Sequence, residues 1–282
     1  MISTICVCGA GTMGSGIAQV AAQSGFHTIL YDVNGEMLIK AGQRMQQDLE
    51  TLASKQKITA AQKDETLSRL QYTSAAGDCV ADIVIEAIVE QPELKVKLFN
   101  QLAAINSGIT IFATNTSSLS VSAIAERVIH SERVVGMHFF NPAPIMKLVE
   151  VVRAAQTAPE VVTAVYKLAK QMGKTPVICK DAPGFIVNHV ARPYYLEALK
   201  LVQLGMSDYE SIDRLMEASG FKMGPFKLMD LIGNDVNYAV SCSVYEAMNK
   251  PERLKPSPLQ KERVDKGELG KKTGRGYYDY SK

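Results

Sequence analysis

One short stretch near the start constrains the rest of the chain more than any other. Thr4-Ile5-Cys6-Val7-Cys8 is an apolar run rich in strand formers that stops at Gly9. After Gly14 the apolar residues change to helical spacing, at Ile17, Val20 and Ala21. Strand, tight turn and helix follow one another within about twenty residues. The glycines stand as G-x-G-x-x-G, and each has a physical reason to be there. Gly9 serves the turn, Gly11 the close approach of backbone to a pyrophosphate, and Gly14 helix-to-strand contact. Thr12 and Met13 open the helix, where unpaired N–H groups and the positive end of the helix dipole suit phosphate.

Three spaced glycines also occur in plain α/β turns, so the context matters. A second apolar run, His27-Thr28-Ile29-Leu30-Tyr31, ends in Asp32, about twenty residues past the fingerprint. An acid at that place accepts hydrogen bonds from an adenosine ribose and repels a 2′-phosphate. The expected cofactor is NAD rather than NADP. The plainer alternative is a glycine turn in an ordinary α/β domain with Asp32 as a surface residue.

At 282 residues the chain is long for one core, which implies two domains. A formal net charge of +2 gives no support for a nucleic-acid partner. No basic segment precedes a long apolar run at the N-terminus, and no stretch is apolar for long enough to span a bilayer. No secretory signal and no membrane partner are expected, and the expected location is cytoplasmic. Five cysteines, an odd number, fit reduced thiols, with Cys6 and Cys8 as small core residues on one strand face. No Cys or His spacing points to a metal.

Residues 34–70 read as a helical insertion. Met37, Leu38, Ala41, Met45, Leu49 and Leu52 keep helical spacing, Leu67 and Leu70 mark a second helix, and the link carries Lys55, Gln56, Lys57 and Lys63. The two helices are expected to pair antiparallel. Strands resume at 71–73, at 81–87 and at 110–114, with a crossover helix at about 93–104. Their carboxyl ends, Glu86 to Glu90 and Asn115-Thr116-Ser117-Ser118, fall where such a sheet binds its ligand.

Two further strands, 133–140 and 146–152, flank Asn141-Pro142-Ala143-Pro144. If they fold back symmetrically about Pro144, His138 lies opposite Glu150, with Cβ atoms about 5 Å apart. A last helix and strand close this domain near Lys180-Asp181. From residue 182 the pattern turns helical: 184–204, then a helix opened by a capping box at Ser207-Asp208-Tyr209-Glu210, then one from about Leu228 to Met248. The expected architecture is an α/β, doubly wound Rossmann-type sheet with a helical insertion (1–181), followed by a smaller all-α domain (182–282). The helix at 184–204 is apolar around much of its girth, and a homodimer through the helical domain is expected to cover it.

The segments containing these residues resemble the 3-hydroxyacyl-CoA dehydrogenase family, particularly its stand-alone bacterial 3-hydroxybutyryl-CoA dehydrogenases. The resemblance spans nearly the whole chain. It is carried by Gly9 to Gly14, Glu86-Ala87-Ile88-Val89-Glu90, Asn115 to Leu119, His138-Phe139-Phe140-Asn141-Pro142, Met146 to Val151, Ala182-Pro183-Gly184-Phe185-Ile186-Val187-Asn188 and Gly270 to Tyr278. The histidine and Pro-Gly-Phe segments together are specific, unlike the glycine fingerprint.

The resemblance implies that His138 is the general base for the 3-hydroxyl, that Glu150 holds its imidazole, and that Ser117 and Asn188 orient the reacting end of the substrate. A carboxylate beside an imidazole favours its protonated form, which suits a proton acceptor. The resemblance further assigns cofactor contacts to Glu90, Lys95, Asn141 and Lys272, and a coenzyme A phosphate contact to Lys55. A family serine in the helix before Lys55 is Asp48 here, which would repel phosphate.

The implied activity is reversible, NAD-dependent oxidation of a short-chain (S)-3-hydroxyacyl-CoA to the 3-oxoacyl-CoA. Residues 223–233 also resemble relatives that oxidise 3-hydroxyadipyl-CoA. A dehydrogenase of free 3-hydroxy acids and a non-catalytic nucleotide-binding protein are the remaining readings.

Overall fold

Strand β1 (Thr4–Cys8) is buried from Ile5 onward. The computed structural model describes residues 2–281. Contacts divide the chain into two units, Met1–Asp181 and Ala182–Lys282.

In the first unit β1 is joined by β2 (His27–Tyr31), β3 (Leu70–Thr73), β4 (Ile83–Glu86), β5 (Ile111–Thr114), β6 (Val134–Phe139), β7 (Leu148–Arg153) and β8 (Thr175–Lys180). The described residues form one eight-stranded sheet in the order β3-β2-β1-β4-β5-β6-β7-β8. Every neighbouring pair is parallel except β6 and β7. Chain order reverses at β1, which lies between β2 and β4, so the crevice of a doubly wound sheet opens at the carboxyl ends of β1 and β4. Ile5, Val7, Ile83, Ile85 and Ala113 fill the main core on one side of the sheet. Cys6 and Cys8 are fully buried on the other side, their Sγ atoms 3.9 Å apart.

Helices α1 (Thr12–Gln23), α2 (Gly35–Ser54), α3 (Ala60–Ser68), α4 (Pro92–Ala103), α5 (Val121–Ala125) and α6 (Pro159–Gln171) flank the sheet. The helical insertion is α2 and α3. α2 buries Leu38, Ala41, Met45 and Leu49, an i, i+3, i+7, i+11 stripe that faces the core. α3 opens on a capping box, Thr59 with Gln62, whose reciprocal bonds close two backbone donors.

The second unit is helical: α7 (Val187–Gln203), α8 (Tyr209–Ala218), α9 (Pro225–Ile232), α10 (Asn234–Ala247) and α11 (Pro258–Asp265). Three sequence expectations are corrected here. α7 starts at Val187 rather than Gly184, because Gly184 (φ 74°) and Phe185 (φ 50°) are both left-handed and cannot continue a right-handed helix. The cap of α8 is Asp208, not Ser207: its Oδ1 accepts from the Ser211 N–H at 2.7 Å. The expected single helix from Leu228 to Met248 is two, broken at Gly233, whose φ of 104° only glycine adopts readily.

The C-terminal stretch is pinned rather than loose. Asp230, 1% exposed, accepts from the N–H groups of Tyr277 and Tyr278 (both 3.0 Å) and from the Tyr280 hydroxyl (3.1 Å). No helix among the described residues is long and apolar enough to cross a membrane.

Candidate active site

The glycine turn is built around contacts that leave no room for side chains. A Cβ on Gly14 would lie 1.7 Å from the Gly9 carbonyl oxygen, and one on Gly9 would lie 2.6 Å from the Ala87 oxygen. Gly11 differs, since no atom lies within 4 Å of where its Cβ would stand. Space there is kept clear of protein. Gly11 is also the N-cap of α1, and no side chain caps that end. The N–H groups of the first turn, including Thr12 and Met13, therefore lack intrahelical acceptors and face an anion site. At the end of β2, Asp32 Oδ2 accepts from the Ala10 N–H (2.7 Å) and Oδ1 from the Asn34 N–H (2.9 Å). Each oxygen keeps a second lone pair, which is what a ribose diol requires. These residues fit a dinucleotide.

At the adjoining carboxyl ends of β4 and β5 stands a charged network. Lys95, on α4, is 1% exposed, and its Nζ lies 2.6 Å from Glu86 Oε1 and 3.1 Å from Glu90 Oε2. One ammonium is shared by two carboxylates. Burial pushes the Glu86 carboxyl above its usual range, against the opposing pull of Lys95 and Thr114. Burial acts likewise on Glu90, but there the Lys95 charge and hydrogen bonds from Thr116, Lys95 and Ser117 prevail and hold the carboxyl below its usual range.

Glu90 Oε1 accepts from the Thr116 hydroxyl, the Ser117 N–H (3.0 Å) and the Ser118 hydroxyl (3.3 Å), so it shapes the loop that carries Ser117. Ser117 does not cap α5; Ser120 does, accepting from the Ala123 N–H. Asn115 Oδ1 accepts from the Phe139 N–H at 2.8 Å and ties this loop to the end of β6.

Replacing Lys95 by Met should therefore cost about 3–5 kcal/mol of stability, because the fully buried Glu86 carboxylate loses its cation. Urea unfolding measures it, and a loss below about 1 kcal/mol would show that the carboxylate can be satisfied without the cation.

The β6 and β7 strands pair antiparallel with Gly136 opposite Val152, Met137 opposite Val151, His138 opposite Glu150 and Phe139 opposite Val149. Equal distance from Pro144 brings the imidazole and the carboxylate together. His138 is 5% exposed and Glu150 1%, and Nδ1 lies 2.8 Å from Glu150 Oε2. With Glu150 accepting at Nδ1, the neutral ring carries its lone pair on Nε2. The Phe140 ring packs 4.5 Å from the imidazole, centre to centre.

The turn between the strands, which begins at the cis Asn141–Pro142 bond, is held by a residue that pattern reading missed. Lys174, 9% exposed, donates from Nζ to the Ala143 carbonyl and to the Met146 carbonyl at 3.0 Å. A lone lysine after a glycine carries no signal in sequence, because such residues are ordinarily solvated. Burial pushes its ammonium down from the usual lysine range.

The remaining candidate residues are more dispersed. Asn141 is exposed, and Asn188 lies in the first turn of α7, within the second unit. Lys272 sits in a short helical turn, 2.7 Å from Asp235, in a fixed place within that unit. Lys55 is the exposed C-cap of α2, and Asp48, also exposed, lies seven residues earlier. Seven residues are nearly two helical turns, so the two share a face roughly 10 Å apart. That is about one Debye length, so the Asp48 charge offsets that of Lys55 only modestly.

Residues 4–182 match the family model described as 3-hydroxyacyl-CoA dehydrogenase, NAD binding domain, and residues 184–280 match that described as 3-hydroxyacyl-CoA dehydrogenase, C-terminal domain. The chain belongs to the 3-hydroxyacyl-CoA dehydrogenase family. The cofactor is NAD, in agreement with the glycine turn and Asp32.

Among relatives in this family, the chain is 48% identical to the 3-hydroxyadipyl-CoA dehydrogenase of Escherichia coli (strain K12), over 99% of its own length and 59% of that protein's. It is 41% identical to the probable 3-hydroxybutyryl-CoA dehydrogenase of Bacillus subtilis (strain 168), over 99% of its own length and 98% of that protein's. The crystal structure of (S)-3-hydroxybutyryl-CoA dehydrogenase from Ralstonia eutropha matches with a TM-score of 0.95 at 39% identity, covering 100% of both chains. The chain thus spans little more than half of the E. coli relative and nearly all of the other two.

Proposed function

We propose that this chain catalyses the reversible NAD-dependent oxidation of short-chain (S)-3-hydroxyacyl-CoA to 3-oxoacyl-CoA. The observation that carries the reading is the buried His138–Glu150 pair on strands of the sheet whose carboxyl edge holds the nucleotide cradle. In oxidation, His138 Nε2 accepts the proton of the 3-hydroxyl as the C3–O bond becomes a carbonyl. Glu150 holds Nδ1–H and stabilises the imidazolium that results. NAD, when bound, supplies a nicotinamide that takes hydride from C3. In reduction the same imidazolium returns the proton.

Ser117 and Asn188 orient the substrate by hydrogen bonds, which converts a collision into a positioned reaction. Glu90, Asn141 and Lys272 contact the cofactor, Lys95 acts through Glu90, and Lys55 meets the coenzyme A phosphates. A homodimer forms through α7 and its neighbours, where Val190 (69% exposed), Leu231 and Val236 leave apolar surface to be covered. The compartment is the cytoplasm, in keeping with five free cysteines.

The test is absorbance at 340 nm with NADH and acetoacetyl-CoA, run beside free acetoacetate and beside NADPH. Oxidation of NADH with the thioester, and little with the free acid or with NADPH, is expected. Absence of turnover with 3-oxoacyl-CoA thioesters of any length would overturn the reading in favour of a nucleotide-binding protein without catalysis.

A further inference from the structure

The turn that joins β6 to β7 is gripped by two other elements, and one grip is a buried cation that the mechanism above does not use. Within the turn, the Pro142 carbonyl accepts from the Ile145 N–H (3.0 Å) and the Met146 N–H (2.9 Å), so residues 142–146 close on themselves. Lys174, between α6 and β8, donates from Nζ to the Ala143 carbonyl (2.5 Å) and to the Met146 carbonyl (3.0 Å). The other grip is α1, the helix that opens on the glycine turn. A Cβ on its Gly16 would stand 3.1 Å from Pro144 Cδ and 3.3 Å from Ala143 Cβ, so the turn lies flush against it.

A buried charge is a costly way to hold two carbonyls. Both partners of Lys174 are neutral, the residue is 9% exposed, and burial pulls its ammonium down from the usual lysine range. An apolar side chain would fill the same space without that penalty. What the ammonium adds is aim: charge-assisted bonds to the carbonyls of residues 143 and 146 fix the turn at two points. The strands themselves do not need this help, because their ladder pairs His138 with Glu150 and Phe139 with Val149 directly. Just beyond the ladder comes Asn141, exposed at the head of the turn and read above as a cofactor contact. Where the turn sits decides where Asn141 sits.

We infer that Lys174 is a positioning residue for the cofactor, holding the turn so that Asn141 meets the dinucleotide. The inference rests on the dehydrogenase reading and on the role given there to Asn141. A contact of that kind is made in the ground state and the transition state alike, so its loss raises Kd and KM for the cofactor and leaves kcat nearly alone.

The experiment measures Kd for NADH by fluorescence titration, and kcat with acetoacetyl-CoA, for the wild type, Lys174→Met, Lys174→Arg, Asn141→Ala and the double variant Lys174→Met/Asn141→Ala. Lys174→Met should raise Kd roughly 3- to 10-fold, about the worth of one hydrogen bond, with kcat within about threefold of the wild type. Lys174→Arg keeps the charge and two donors and should restore part of the affinity. The double variant should bind no worse than Asn141→Ala, because the turn then has no amide left to present. Losses that multiply, or a Lys174→Met protein that melts earlier at unchanged Kd, would mark Lys174 as merely structural and overturn the inference. Should the Met variant fail to fold, Gly16→Ala presses on the same turn from α1 without weakening the helix, since alanine is the better helix former. A raised Kd there supports the inference, and an unchanged one overturns it. If Asn141→Ala binds NADH as the wild type does, the inference falls while the dehydrogenase stands; the dehydrogenase reading falls only if no 3-oxoacyl-CoA thioester is turned over.

Discussion

Replacing His138 by Gln lowers turnover of acetoacetyl-CoA with NADH by about 10²- to 10⁴-fold, the usual contribution of a positioned general acid or base. KM for the thioester should move little, because Ser117 and Asn188 rather than the imidazole are assigned to ground-state orientation. The substitution nearly preserves volume, and a Gln amide, which sits one bond farther out than Nδ1, can fold back to donate to Glu150. Buried Glu150 therefore keeps a partner, and the melting temperature should stay near that of the wild type. This separates chemistry from folding. If the variant is folded, binds NADH normally and still turns over within tenfold of the wild type, the proton goes elsewhere and the assigned base is wrong.

What made this pair legible was arithmetic. Side chains alternate along strands, and antiparallel partners are equidistant from the centre of their turn, so a turn centred on Pro144 pairs 138 with 150 whatever else the fold does. The glycine turn was legible because its contacts exclude side chains, as the 1.7 Å approach to the Gly9 oxygen at Gly14 makes plain. Patterning also revealed α2, whose buried stripe is made of the residues that repeat at helical spacing.

Where reading failed, tertiary context had overridden a local rule. The helical pattern from Leu228 to Met248 does not reveal that Gly233 adopts a φ of 104° and splits it, and Asp208 outcompetes Ser207 as a cap by one position. Charged residues were the most opaque. Lys95, Lys174 and Arg192 are each at most 9% exposed, although lysine and arginine ordinarily mark solvent. The partners of Lys174, two turn carbonyls, and those of Arg192, Asn237 with Ser241, come from distant parts of the chain, while Lys95 meets Glu86 and Glu90 across the β4–α4 connection. No periodicity encodes such meetings.

Glu150→Gln probes the other half of the pair, and a fall in turnover of about 10²- to 10⁴-fold is expected with NADH affinity unchanged. Glu150 is 1% exposed and 2.8 Å from Nδ1. A neutral amide of the same shape can present either its oxygen or its NH₂ group to the ring, so the tautomer is no longer enforced. It also carries no charge with which to stabilise the imidazolium that oxidation creates. In a Ser-His-Asp triad the corresponding change of acid to amide costs about 10⁴ in turnover for the first of these reasons. The decisive measurement is the double variant. If Glu150 acts through His138, then removing both should cost little more than removing His138 alone, because a carboxylate has nothing to hold once the imidazole is gone. Losses that instead multiplied would mean that Glu150 serves the reaction or the fold independently, and the two side chains would no longer count as one proton-transfer unit.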